Sequence, residues 1–163
     1  MTAQLGPQIR RVVTGHDAAG KAVVKIDEVA TNVSSRRPGS SSVLLWSTDA
    51  FPVVNEGDED FGARKLGTTV ENGTVFRVVR YEPGVTPRRH RTDSVDYAVV
   101  ISGRVDMELD DGVTVSLKAG DTVVQRGTVH NWVNPGTEPA LVAFVLVHAK
   151  PVTAGGKTLH AEG

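Results

Sequence analysis

Short runs rich in valine and threonine recur between glycines and prolines along this chain, apolar and polar residues alternate in its central block, and no stretch sustains a period of 3.6. Side chains of an extended strand point alternately to opposite faces, so the pattern predicts β-structure nearly throughout. Arg11-Val-Val-Thr14 and Ala22-Val-Val-Lys-Ile26 flank the turn-prone His16-Asp-Ala-Ala-Gly20 and predict a hairpin. Thr31 to Ser42, rich in Ser, Arg, Pro and Gly, predicts a loop, and Ser42 to Ser47 the next strand. Asn55 to Gly67 is acidic and contains glycine, which predicts a loop over a cavity mouth or a short helix. Thr74 to Tyr81 predicts a strand that stops at Glu82-Pro-Gly84.

The block that follows is the most regular. Ser94 to Ser102 reads as a strand closed by Gly103, and Arg104 to Leu109 alternates as a half-buried strand does. Asp110-Asp-Gly112 turns the chain into Val113 to Leu117, and Ala119-Gly-Asp121 turns it again. Thr122 to Val124, His130 to Asn134 and Leu141 to His148 complete the set. Short strands spaced about ten residues apart predict an antiparallel sandwich or barrel. The tail after Pro151 carries Gly, Lys and His and is expected to fray. There is no internal repeat.

Composition narrows the picture without redirecting it. The 163 residues suffice for one domain with a sizeable core. A formal net charge of −1 gives no reason to expect nucleic acid or a membrane surface as partner. The absence of cysteine excludes disulfides, zinc–thiolate sites and thiol nucleophiles. The segment MTAQLGPQIRR has no apolar signal core, and the longest apolar run, Ala140 to Val147, is far shorter than the roughly 18 residues of a membrane span. The default expectation is a cytoplasmic protein that handles a small molecule. No nucleophile elbow, phosphate-binding glycine loop or P-loop is present, which places serine acyl transfer and nucleotide hydrolysis low.

Chemistry concentrates in two stretches, His90-Arg-Thr-Asp-Ser-Val-Asp96 and His130-Asn-Trp-Val-Asn134. His90, Thr92 and Asp96 share even parity, so a continuous strand turns them to one face. Two imidazoles and one carboxylate make the facial set that suits iron(II) and related divalent metals, and zinc accepts it as well. His90, Asp96 and His130 are therefore the candidate metal ligands and catalytic groups. Taken singly, His90 reads as a loop histidine among arginines and His130 as a core histidine beside Trp132. A ligating histidine also needs a partner on its other ring nitrogen, for which Gln125, Asn134 and Thr92 are candidates. Arg88, Arg89 and Arg91 stand beside His90, placed to meet a substrate carboxylate or phenolate or else solvated on the surface. Arg89 and Arg91, with Trp132, Phe144 and Phe76 as apolar lining, are the substrate-binding candidates.

These stretches resemble the two motifs of the cupin superfamily. Gly84, five residues, His90, Arg91, Thr92, three residues, Asp96, six residues and Gly103 follow the spacing of the first motif. Gly120, Gly127, His130 and Asn134 follow the second, with the gap after Gly120 one residue shorter and Gln125 where the family has proline. Thr92 replaces the family's second histidine and Asp96 its glutamate, which reduces the implied ligand set from four to three. The resemblance covers about Thr74 to Val147. It implies an all-β antiparallel jelly-roll barrel over residues 43–150, an N-terminal hairpin extension over 1–42 packed on the barrel or a partner subunit, a flexible tail over 151–163, and a homodimer. It implies an Fe2+, Zn2+, Mn2+ or Ni2+ enzyme acting on an organic acid or an aromatic, polyketide-like molecule by decarboxylation, dehydration or cyclisation. An iron dioxygenase, a non-catalytic binding barrel and a metal-free isomerase are the open alternatives.

Overall fold

A computed structural model describes residues 6–163; the first five residues of the expected N-terminal extension lie outside the described residues. Strands β1 (Arg10–His16) and β2 (Ala22–Val29) form a hairpin of their own. Its turn is built by Asp17, whose Oδ1 accepts the backbone N–H groups of Ala19 and Lys21. Six strands make the main sheet: β3 (Val33–Arg37), β4 (Ser40–Thr48), β5 (Thr74–Tyr81), β6 (Ser94–Ser102), β9 (Thr122–Arg126) and β11 (Ala140–His148). Their order is β3-β4-β5-β11-β6-β9, antiparallel at every step. The second sheet is β10-β7-β8, from β7 (Arg104–Glu108), β8 (Thr114–Lys118) and β10 (Asn131–Val133). A final hairpin pairs β12 (Val152–Ala154) with β13 (Lys157–Leu159).

The core lies between the two sheets, as the alternation requires. Val75, Val79, Ala98, Val100, Val142, Phe144 and Leu146 of the large sheet meet Val105, Met107, Leu117 and Trp132 of the small one. Val75, Val105 and Val142 are fully buried, and each such side chain contributes about 2 kcal/mol by leaving water. Strand β6 shows the alternation most plainly: Ser94, Asp96, Ala98 and Val100 are buried, while Tyr97, Val99 and Ile101 are exposed. The protein is thus an all-β antiparallel jelly roll with an N-terminal hairpin. Among the described residues no helix is long and apolar enough to cross a membrane.

Three local expectations give way. Thr31 to Ser42 is not a loop but carries β3 and the start of β4, so the sheet begins at Val33 and not beyond residue 42. Short hydroxyl side chains make this edge: Ser34 and Ser42 Oγ lie 3.0 Å apart, Ser35 donates to the Ser40 carbonyl at 2.8 Å, and Gly39 takes the left-handed turn position at φ 78°. Phe76 does not line the interior. It faces outward on β5, 39% exposed, because β5 turns Val75, Arg77, Val79 and Tyr81 inward. The tail expected to fray forms the β12–β13 hairpin, and Glu162 then exchanges backbone hydrogen bonds with Arg91.

Candidate functional site

His90 and His130 come from segments just outside the regular strands and pair as a single antiparallel rung. The His90 N–H donates to the His130 carbonyl at 3.0 Å, and the His130 N–H donates back at 2.9 Å. Directly opposed residues in such a pair carry their side chains on the same face. The two rings therefore meet, with centroids 4.2 Å apart and planes at 49°. Their surroundings are alike. His90 Nδ1 lies 3.1 Å from the Arg88 carbonyl, and His130 Nδ1 lies 3.0 Å from the Thr128 carbonyl. A carbonyl can only accept, so Nδ1 bears the hydrogen in both rings and each Nε2 keeps a free lone pair.

Burial enforces this neutral state. His130 is 2% exposed, and desolvation, followed by the neighbouring His90, lowers its pKa to about 4. His90 is lowered as well, again chiefly by burial. Gln125 stands behind the pair: its amide donates to the Thr128 carbonyl at 3.3 Å, the same oxygen that holds His130. The ring partners are thus backbone carbonyls rather than Gln125, Asn134 or Thr92. Asn134 instead ties its turn to the barrel, donating to the carbonyls of Tyr81 at 2.9 Å and Glu138 at 2.8 Å.

Asp96 reaches the same cavity from β6. Burial raises its carboxyl to about 6, although hydrogen bonding to Ser94 favours the charged form. Ser94 Oγ lies 2.5 Å from Asp96 Oδ1 and 2.8 Å from Thr92 Oγ1. One hydroxyl hydrogen serves one acceptor, and the carboxylate is the stronger. Ser94 is the donor toward both oxygens, and its single hydrogen favours Asp96.

The cavity measures about 100 Å³. Its reactive wall is His90, His130, Thr92 and Asp96, and Trp132, Phe144, Val79 and Leu146 supply apolar surface. Trp132 packs edge-on against both Phe144, at 5.4 Å between centroids, and His130, at 6.0 Å. Four arginines also line it: Arg36, Arg37, Arg77 and Arg88. Three of these were missed in the sequence. Arg36 and Arg37 sit in the stretch read as a loop, and Arg77 breaks an apolar run at the one parity that points inward. The expected rim arginines face elsewhere: Arg89 is spent on Asp110 and the Leu109 carbonyl, and Arg91 pairs with Glu162 at 3.2 Å.

A three-ligand metal centre does not fit this arrangement. The two imidazoles offer Nε2 donors, but Asp96 is turned to Ser94, and among the described residues no three of His, Cys, Asp and Glu come together to hold a metal ion. The geometry presents a pair of neutral bases and a separate buried carboxyl group.

The fold and this site define a double-histidine barrel of cupin type, and comparison with known proteins agrees: the chain belongs to the cupin family. The Cupin domain model matches residues 77–147. Over nearly the full length, the chain is 35% identical to phomopsin biosynthesis cluster protein C' of Diaporthe leptostromiformis, covering 94% of this chain and 87% of that one. It is also 35% identical to the cupin-domain-containing oxidoreductase fogC of Aspergillus ruber, covering 93% and 78%. Among solved structures, an RmlC-like cupin from Shewanella frigidimarina is similar at 16% identity and a TM-score of 0.49, covering 73% of this chain and 85% of that one.

Proposed function

We propose that the protein is a cupin enzyme of small-molecule biosynthesis that moves a proton on a carbonyl-bearing organic substrate held in the barrel. One observation carries the reading: two buried imidazoles, each locked by a backbone carbonyl in the tautomer that leaves Nε2 bare, share one small cavity. A neutral imidazole there takes a proton from the carbon next to a carbonyl. The bonding pair moves onto the carbonyl oxygen as an enolate, and the proton returns to another carbon or to a departing group. Isomerisation, dehydration and cyclisation all share this first step. Asp96, with a carboxyl near pH 6, is matched to exchange a proton near neutrality, and Ser94 orders it. The names of the relatives, biosynthesis cluster proteins and cupin-domain-containing oxidoreductases, support a role in making a specialised small molecule.

A second reading is favoured by the two Nδ1–H···O=C bonds, which also hold metal-ligating histidines in place. On it, His90 and His130 alone would seat a divalent ion as redox or Lewis-acid centre. The test is a panel of β-keto acids and phenolic acids, assayed before and after chelation, with elemental analysis and His130→Ala. Turnover that survives chelation and is lost in His130→Ala supports proton transfer. Stoichiometric metal whose removal abolishes turnover replaces it with the second reading. Turnover of no panel member by protein reconstituted with iron(II), manganese, nickel or zinc overturns both.

A further inference from the structure

The arginines divide sharply by their partners. Seven meet an Asp or Glu within 4.0 Å: Arg10, Arg11, Arg64, Arg80, Arg89, Arg91 and Arg104. The remaining five of the sequence, Arg36, Arg37, Arg77, Arg88 and Arg126, meet none among the described residues, and the first four line the cavity of His90 and His130. Arg36 is exposed, but Arg37, Arg77 and Arg88 are half-buried, and a guanidinium drawn out of water is costly without a counter-charge.

The cluster is held, but not neutralised. Arg77 donates through Nη2 to the Gly67 carbonyl at 2.8 Å and the Thr68 carbonyl at 3.3 Å, while its buried Nε has no partner among the described residues. Arg37 has a buried Nη1 with no partner among the described residues, and its guanidinium carbon lies 5.9 Å from the centre of the Tyr81 ring. Arg36 is braced by Thr68 Oγ1 and the Leu66 carbonyl, both at 3.0 Å, and Arg88 donates to the Gly163 carbonyl oxygen at 2.7 Å. The braces of Arg36 and Arg77 are neutral oxygens. They aim the forks without cancelling the charge, and Asp96 is the one acidic side chain that lines the cavity with them. Burial and mutual repulsion weaken the hold of Arg77 and Arg88 on their protons, and burial does the same to Arg37.

We propose that Arg37 and Arg77, flanked by Arg36 and Arg88, form a binding seat for the carboxylate of an organic-acid substrate whose apolar body lies against Trp132 and Phe144. This rests on the cavity being the substrate site and names the class of substrate it admits. Planar guanidinium forks match a carboxylate through paired hydrogen bonds, and a low-polarity surround strengthens them. The seat also fixes where the reaction happens: the carboxylate lies at the arginines and the carbon to be deprotonated lies toward the histidines.

The test uses the full chain at low salt, with calorimetric and thermal-shift titration of three probes: benzoate, benzyl alcohol of similar shape without charge, and phenyl phosphate. We expect benzoate to bind and raise Tm, and benzyl alcohol to do neither. Arg37→Gln and Arg77→Gln are each expected to weaken benzoate at least tenfold, and Arg126→Gln to leave it unchanged. Arg77→Gln without ligand is expected to melt no lower than the parent protein, since it removes an uncompensated buried charge. That result also separates loss of binding from loss of folding. Arg77→Lys provides a second variant, expected to retain part of the affinity. Equal binding of benzoate and benzyl alcohol, no benzoate binding, or benzoate affinity untouched by Arg37→Gln and Arg77→Gln overturns the seat. Phenyl phosphate bound more tightly than benzoate overturns the carboxylate assignment in favour of a phosphate ester. His130→Ala keeps the two readings apart. It is expected to retain benzoate and lose turnover; turnover that persists sinks the proton-transfer reading and leaves the seat standing.

Discussion

Ser94 places its hydroxyl oxygen 2.5 Å from Asp96 Oδ1, yet the Asp96 carboxyl still titrates near 6 rather than 3.8 because burial outweighs that bond. A carboxyl whose pKa is raised by folding favours the folded state most when protonated. Its contribution is greatest below pH 3.8, is lost as pH rises through 6, and is constant above. Asp96→Asn is therefore expected to stabilise the protein above pH 6.5 by up to about 3 kcal/mol, and by nothing below pH 3.5. Denaturant unfolding across pH 3 to 8 measures this. A stabilisation that does not vary with pH would assign the effect to shape rather than charge.

His130 has the opposite sign. Its folded value, about 4, lies below the ordinary 6.5, so the unfolded chain takes up the proton first. Stability is lost as pH falls from 6.5 toward 4, just where Asp96 gains it. The parent protein should show a shallow dependence between pH 6 and 4. Asp96→Asn, which removes the compensating group, should lose stability steeply there. Parallel curves for the two proteins in urea would refute the assignment.

Because the two rings share one cavity, they should act as a unit. His90→Ala and His130→Ala are each expected to lower kcat at least 100-fold, and the double variant to be no worse than the more damaged single one. Steady-state kinetics on the acid of the panel that turns over decides it. Fully additive losses would mean the histidines serve separate steps.

Arg11 fastens the N-terminal hairpin to the barrel. It is 9% exposed and reaches Glu28 at 2.7 Å, Asp60 at 2.5 Å and the Leu45 carbonyl at 3.2 Å. Its guanidinium holds the Asp60 carboxyl below the usual range. Arg11→Met leaves both carboxylates without their counter-charge. As Glu28 and Asp60 are partly solvated, the expected cost is about 2 kcal/mol, below that of a fully buried pair. Limited proteolysis should then cut first between β1 and β2; an unchanged cleavage pattern would count against this anchor.

Gly103, between β6 and β7, sits at φ 75°, and a Cβ there would fall 2.8 Å from Ala140 Cα. Gly20 has the same φ but open space around it. Gly20→Ala is expected to cost about 1 kcal/mol, the left-handed penalty alone, and Gly103→Ala about 3 kcal/mol because Ala140 is backbone and cannot yield. Thermal unfolding of the two variants gives the difference directly.

Strand parity made much of this legible beforehand. It put His90, Thr92 and Asp96 on one face, and the structure turns all three into the cavity that His130 enters. What parity could not carry was the direction of each side chain once there. Asp96 shares the face but turns to Ser94, a contact between next-but-one neighbours that no spacing rule distinguishes from a shared ligand. Arg77 and Phe76 reversed the usual bias, polar in and aromatic out, and a hydrophobicity pattern reads such a pair the wrong way round. Arg36 and Arg37 were hidden because a Ser- and Arg-rich edge strand has a loop's composition. Its partner is supplied by β4, and composition does not record pairing.

The rung between His90 and His130 makes each of these residues structural and reactive at once, its amide in the ladder and its ring in the cavity. Loosening one loosens the other. Their two amide protons are thus a built-in gauge: deuterium uptake at these positions reports how often the reaction chamber comes apart, with no substrate or assay required.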